Sequence, residues 1–121
     1  MNKMNCTIIN SNNSIVPLFL EIADTDIKRQ IGLMHRSYLP ERNGMIFVYP
    51  QESDIQIWMK NTELHLDVLF VDKNGIINCI QHAIPFDESR ISCNVPSKYV
   101  IELPYKTAET YSIQPGSKII W

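Results

Sequence analysis

Short apolar stretches that alternate with polar residues run along most of the chain. In IVPLFLEIA, Val16, Leu18 and Leu20 fall on one face of an extended segment, and Pro17 is acceptable at a strand edge. The run IQIWMK alternates in the same way, and the short apolar runs MIFVY, VLFVD, IINCIQ, YVIEL and the closing IIW have the length of strands. Alternation and short apolar runs bounded by turn residues are both typical of strands, so these stretches predict a series of short strands.

The segment ADTDIKRQIGLMHR predicts the single helix of the chain. Asp24 or Thr25 can cap its N-terminus, because both side chains accept hydrogen bonds from the first free backbone N–H groups. Gly32 weakens the helix and Pro40 ends any continuation. The apolar residues recur at helical spacing, at Ile27, Ile31 and Met34.

A hairpin is predicted at Lys73-Asn74-Gly75, since an Asn-Gly pair between two apolar strands is a strong signal for a tight turn. The segment from His82 to Pro96 is typical of a loop. Together these elements predict a mainly β protein, with residues 15–121 forming a single antiparallel β sandwich or barrel-like domain with one short helix near its N-terminal third. Residues 1–14 are interpreted as a polar lead.

Composition limits the classes of partner. The 121 residues include 45% hydrophobic and 20% charged residues, typical of a globular domain, and the formal charge of −2 gives no excess of positive charge for nucleic acid. No secretory signal and no apolar run long enough to span a bilayer are visible, so a cytoplasmic location is the default expectation. No cofactor is indicated.

The three cysteines, Cys6, Cys79 and Cys93, lack the spacing of a zinc site, and their odd number does not indicate a disulfide framework. We therefore expect buried or idle thiols. No metal site is predicted, because only Asp67, Asp72 and Glu102 occupy plausible positions for ligands. No catalytic residue is assigned, since no serine or cysteine lies in a recognisable arrangement with a base.

Three segments together resemble one family. They are ADTDIKRQIGLMHRSYLPERNGMIFVYP, IWMKNTELHLDVLFVDKNGII and YVIELPYKTAETYSIQPGSKI, and they resemble the DUF192 family, also called UPF0127, over roughly residues 20–119. The resemblance implies a compact, mainly β sandwich-like or barrel-like domain and no established reaction. It also implies that many relatives carry an export signal. His65, Lys106 and Ser117 depart from the family pattern, at positions predicted to be turns.

The WMKNT stretch is the first candidate for a site. If residues 55–60 form a strand, Trp58 and Lys60 project from the same face and offer an aromatic surface beside an ammonium group, which suits a sugar, a nucleoside or an anion. Arg36, whose planar fork can hold a carboxylate, is the best second member. The predicted ligand-binding set is Arg36, Trp58, Lys60, Asn61, Asp67 and Glu102.

Structural interpretations of the same residues remain open. Lys60 can be a half-buried cation paired with Asp67 or Glu102, since a carboxylate in the middle of a strand needs a cation or backbone donors. Arg36 can serve as a cation near a helix C-terminus. Asn61 is typical of a turn.

We favour a binding or accessory module that holds a polar or anionic small ligand. One alternative is a protein-interaction module that uses a sheet edge or the loop from His82 to Pro96. Another is a hydrolase or isomerase with Asp67 or Glu102 as general base. An enzyme is the less favoured class.

Overall fold

The computed structural model describes residues 2–121 and contains seven strands and two short helices. In the described residues, no helix is both long and apolar enough to cross a membrane. The elements in chain order are β1 (Lys3–Ile9), β2 (Ile15–Ala23), α1 (Asp26–Ile31), β3 (Asn43–Ser53), β4 (Leu66–Val71), β5 (Ile77–Ala83), β6 (Ser97–Pro104), α2 (Thr107–Tyr111) and β7 (Lys118–Ile120).

The strands form one curled sheet in the order β5-β4-β6-β3-β2-β1-β7. Every neighbouring pair is antiparallel except β2 and β3. These two run parallel because the chain returns through α1 and a long connection rather than a hairpin. The predicted mainly β, largely antiparallel fold is confirmed.

The predicted hairpin joins β4 to β5, and its turn also closes the sheet. Gly75 has a φ of +83°, and its carbonyl accepts a hydrogen bond of 2.7 Å from the amide of Ile119 in β7. A further bond of 3.0 Å runs from the amide of Ile77 to the carbonyl of Ser117. The two edges of the sheet, at β5 and β7, therefore meet at this turn. This contact gives the sheet its barrel-like curl.

The two faces of the sheet carry separate cores. The inner core includes Leu18, Ile46, Leu69, Ile101 and Ile119, which point into the curl. The outer core lies between the opposite face of the sheet and the covering loops, and includes Leu33, Met45, Ile57, Met59 and Val68. These loops bring the candidate site residues onto the outer face.

One predicted strand is not part of the sheet. Residues 55–60 form only a single bridge, between Ile57 and Ile91. The predicted alternation is nevertheless correct, since Ile55, Ile57 and Met59 are buried while Gln56 is exposed. Burial against the outer face, rather than pairing with a neighbouring strand, produces the period-two pattern.

The helices differ from the prediction in their number and in the exposure of the apolar residues of α1. Thr25 caps α1 as predicted, accepting a hydrogen bond of 3.2 Å from the amide of Lys28. Ile27 and Ile31 have the predicted helical spacing but are exposed to solvent. The prediction of a single helix was wrong, since the structure has a second short helix, α2. This helix begins after Lys106, which adopts a left-handed conformation with a φ of 71°. No element was predicted before Ile15, where the structure has β1.

The expectation of idle thiols was wrong for two of the three cysteines. Cys79 in β5 and Cys93 in the loop after it form a disulfide, with 6.1 Å between their Cα atoms. Spacing along the chain gave no indication of this pair, since the fold of the loop brings them together. Cys6 is a free, buried thiol whose pKa is raised to about 11 by burial.

Candidate functional site

A cleft of about 230 Å³ opens between α1, the middle of β3 and the segment around Trp58. Its walls combine apolar side chains with amides and guanidinium groups, and they include two arginines and no carboxylate. The lining residues are Arg29, Gln30, Ile31, Gly32, Met34, Phe47, Tyr49, Gln56, Ile57, Trp58 and Arg90. An apolar floor with a few convergent polar groups is typical of small-molecule sites.

Two cations lie against the indole of Trp58. The guanidinium carbon of Arg90 is 4.4 Å from the ring centroid, and Lys60 Nζ is 5.2 Å from it. The predicted proximity of Trp58 and Lys60 is therefore confirmed, although no strand holds them. Both distances are within the range of cation–π attraction. Arg90 was not predicted, because only the folding of the loop between β5 and β6 brings it to this ring.

The opposite wall holds a second arginine and aromatic pair. Arg29 lies 5.1 Å from the ring centroid of Tyr49. It donates one hydrogen bond of 2.7 Å to the carbonyl of Val48 and one of 2.6 Å to Asp26. Burial raises the pKa of Tyr49 to about 12, which keeps its hydroxyl neutral. Arg29 is therefore fixed in place by the protein, whereas Arg90 makes no ion pair with a carboxylate among the described residues.

The structural interpretation of Lys60 is wrong. Its side chain is exposed, and none of the ion pairs formed by residues 2–121 includes it. Asp67 and Glu102, the two expected partners, each have another environment. Lys60 is therefore not the half-buried partner of a carboxylate, and its ammonium lies against Trp58.

Asp67 orders the start of α2. Its carboxylate is fully buried; Oδ2 accepts a hydrogen bond of 2.9 Å from the amide of Ala108, and Oδ1 lies 3.0 Å from Nδ1 of His82. Tyr105 packs against His82, with 5.2 Å between ring centroids. Both carboxylate oxygens are thus engaged away from the cleft.

Glu102 is buried on the outer face of β6 without a charged partner among the described residues. Burial raises the pKa of its carboxyl from an ordinary 4.5 to about 8. The carboxyl group is therefore largely protonated at neutral pH, which avoids the cost of a buried charge. The expected cation or backbone donor is replaced by a proton.

Arg36 holds a carboxylate in the predicted fork-like manner, but the carboxylate belongs to the protein. Its two terminal nitrogens bind the two oxygens of Glu21, one of them at 2.8 Å. The hydrogen bond from Arg36 lowers the pKa of Glu21 below its ordinary value. This pair lies beside a smaller depression of about 150 Å³, separate from the cleft at Trp58.

Asn61 lies in a turn after Lys60 and has a φ of 54°, in the left-handed region that asparagine tolerates. Its carbonyl accepts a hydrogen bond of 2.9 Å from the amide of His35. The turn interpretation is confirmed.

Of the six predicted ligand-binding residues, Trp58 alone lines the cleft. Lys60 lies against the Trp58 ring, and the other four residues lie elsewhere. Within residues 2–121, no three His, Cys, Asp or Glu residues converge in a way that could hold a metal ion.

Comparisons with known proteins agree on one family. The family DUF192, described as Uncharacterized ACR, matches residues 7–121. A UPF0127 protein of Pyrococcus horikoshii is 30% identical over 110 residues, covering 84% of this chain and 86% of that protein. A UPF0127 protein of Pyrococcus furiosus is 29% identical over 104 residues, covering 84% of this chain and 85% of that protein.

Solved structures show the same fold. A protein of Sinorhizobium meliloti described as a proposed transcription regulator superposes with a TM-score of 0.96 at 32% identity, covering 98% of this chain and 93% of the other. A protein of unknown function from Novosphingobium aromaticivorans gives a TM-score of 0.93 at 29% identity, covering 98% and 85%. The chain therefore belongs to the uncharacterised DUF192 family, whose members are also named UPF0127 proteins.

Proposed function

We propose that the protein is a binding module for a small anionic ligand with a flat apolar body, which enters the cleft beside Trp58. The observation that carries the proposal is the guanidinium of Arg90, held 4.4 Å from the Trp58 ring at a cleft whose lining contains no carboxylate. A cation without a carboxylate partner at the rim of an apolar cleft is suited to an anion.

Each part of the ligand has a matching surface. Phe47, Ile57 and Met34 offer apolar contact for a flat ring, and the amides of Gln30 and Gln56 can hydrogen-bond polar groups on its edge. The anionic group would bind Arg90, with Lys60 contributing positive charge nearby. The cleft of about 230 Å³ is somewhat smaller than the roughly 300–1,000 Å³ of typical ligand pockets, which favours a small ligand.

The remaining predicted residues support the fold around this site. Arg36 is occupied by Glu21, and Asp67 by His82 and the amide of Ala108. Glu102 is buried and does not line the cleft, so it is out of reach of a proton on a ligand bound there, which does not favour a general base. Transcription regulation, the role given for the Sinorhizobium meliloti protein, is not favoured for this chain. Its formal charge of −2 provides little attraction for nucleic acid.

The test compares probes that share a flat ring system and differ in whether they carry an anionic group. Adenosine 5′-monophosphate and benzoate are the anionic probes, and adenosine and benzamide are their neutral counterparts. We expect the anionic probes to bind more tightly, because removing the anion removes a charge-assisted hydrogen bond. Arg90→Gln should weaken the binding of the anionic probes by about tenfold or more, since such bonds contribute roughly 1.5–3 kcal/mol.

Fluorescence can report the binding, because the chain has two tryptophans and Trp121 can be changed to Phe, leaving Trp58 as the reporter. Lys118→Gln is the matched control, since it also removes one exposed positive charge but lies in β7. Equal binding of anionic and neutral probes, or equal effects of Arg90→Gln and Lys118→Gln, would contradict the proposal.

Protein interaction is a second candidate, favoured by the loop between β5 and β6. Phe86 in this loop is 61% exposed and has a φ of 62°, a conformation that is strained for a bulky residue. Ile84 and Val95 are exposed in the same loop. If no probe in the panel binds, this exposed apolar loop becomes the better supported site.

A further inference from the structure

The disulfide ties the segment that carries Arg90, one of the residues lining the cleft, to β5. Cys79 belongs to β5 and Cys93 to the segment of residues 84–96, which we call the cleft loop. The cleft loop carries Arg90, three residues before Cys93. The covalent link therefore fixes the loop to the sheet close to the residue that the proposed function assigns to the anion.

The cleft loop in turn holds the segment that carries Trp58. Ile57 and Ile91 exchange two backbone hydrogen bonds, of 2.9 and 2.8 Å. The amide of Met59 donates to the carbonyl of Asp87 at 2.8 Å, and the amide of Phe86 donates to the carbonyl of Thr62 at 2.9 Å. The Trp58 segment belongs to no strand of the sheet, so these four bonds provide its regular backbone pairing.

The polar contacts beside the disulfide are few and mostly solvent-exposed. Ser92 donates to Asp54 at 2.5 Å, and Gln81 donates to the carbonyl of Ser92 at 3.4 Å. Asn78 binds the carbonyl of Pro96 at 2.9 Å, at the end of the loop. Exposed hydrogen bonds contribute little net stability, so the disulfide is the covalent restraint that ties this part of the loop to β5, in addition to the backbone pairing with the Trp58 segment.

We propose that the Cys79–Cys93 disulfide is a redox control on the cleft: the oxidised protein holds Arg90 and Trp58 in the binding arrangement, and reduction releases it. The reductant is a thiol, either a small thiol or a dithiol protein. Two thiol groups give up two electrons and two protons; the Cys79–Cys93 bond breaks, two cysteine thiols form, and the reductant becomes a disulfide. Both cysteines are only partly buried, which leaves them accessible to such a reagent.

The inference rests on the proposed function for its effect on affinity, but the restraint on the loop can be measured without any ligand. Amide hydrogen exchange of Ile57, Met59 and Ile91 reports their three backbone bonds directly. We expect faster exchange at these amides after treatment with dithiothreitol, with little change at Ile101 in the inner core. Cys6 should not interfere, because it is buried and its raised pKa disfavours the thiolate.

Affinity for adenosine 5′-monophosphate is the second readout. Reduction should weaken it by about fivefold or more, because only the fraction of molecules with an ordered cleft binds well. Cys93→Ser should match the reduced protein and should not respond further to dithiothreitol. Cys6→Ser is the control and should respond like the wild type.

The outcomes separate the two proposals. Faster exchange on reduction without any binding by the oxidised protein would support the restraint on the loop and contradict the proposed ligand. Binding that Arg90→Gln weakens and reduction leaves unchanged would support the ligand site and overturn the redox control. Unchanged exchange at all three amides would overturn the redox control whatever the ligand does.

Discussion

Two glutamates on the outer face show how a local partner decides the charge of a residue. Glu21 in β2 and Glu102 in β6 are both register partners of Met45, so they lie in one row across the sheet. Arg36 binds Glu21 and lowers its pKa, whereas burial without a cation raises the pKa of Glu102 to about 8. The same side chain is thus an anion at one position and a neutral acid two strands away.

Glu102 should make the protein less stable as the pH rises. The unfolded chain loses this proton near its ordinary pKa of 4.5, while the folded chain keeps it until about pH 8. Between these values the folded state binds more protons, so the free energy of unfolding falls as the pH increases and levels off above pH 8. Urea unfolding between pH 5 and pH 9 measures this fall.

Glu102→Gln is the matched control for this titration, because it keeps the size of the side chain and cannot ionise. Its stability should depend less on pH between 5 and 8 than that of the wild type. Parallel curves for the two proteins would show that the carboxyl group is not the source of the dependence.

At the scale of elements, β3 and β6 approach each other more closely at one position than a side chain allows. A Cβ atom on Gly44 would lie 1.9 Å from the carbonyl oxygen of Glu102 and 3.1 Å from a methyl carbon of Leu103. Gly44 does not have a positive φ, so the need for glycine is purely steric. The glycine in the sequence Gly-Met-Ile-Phe of residues 44–47 is therefore required by a contact between strands.

Gly44→Ala should destabilise the protein by at least the roughly 1–3 kcal/mol that is typical of overpacking, because rigid backbone occupies the space. The free energy of unfolding from urea titration is the measurement. Gln51→Ala, at an exposed position of the same strand, is the control and should change it by less than about 0.5 kcal/mol. A well-tolerated Gly44→Ala would refute the close approach of the two strands.

At the scale of the whole molecule, β7 closes the curl. This strand pairs with β1 and also receives the hairpin at Gly75, so three residues join the ends of a seven-stranded sheet. Ile119 points into the inner core and is 2% exposed, while its neighbour Ile120 is 43% exposed. The closing strand therefore has one buried anchor.

Ile119→Ala should lower the free energy of unfolding by about 2–5 kcal/mol, the usual cost of truncating a buried isoleucine. Ile120→Ala removes the same atoms from the same strand and should cost much less, because its side chain is largely in water. Thermal and urea unfolding of the two variants provide the comparison. Similar losses for both would contradict the buried closure at β7.

Local signals were sufficient for the features that depend on neighbouring residues. The Asn74-Gly75 turn, the Thr25 cap and the burial of Ile57 and Met59 follow from turn chemistry, capping and alternation, which act over a few residues. The mainly β fold follows from many such segments in series. The resemblance to DUF192 adds the set of motifs and the family, but no reaction.

Which side chains meet depends on contacts between segments that are distant along the chain. Trp58 and Arg90 face each other because two irregular segments pack on the outer face, and neither segment has a pattern that specifies its path. The same is true of Cys79 with Cys93 and of Glu21 with Arg36. Most of the strands, the hairpin and the cap could be predicted from the sequence because their causes are local, although β1 was missed and residues 55–60 pair through a single bridge. The cleft, its charges and its disulfide depend on contacts between distant segments, which no local pattern specifies.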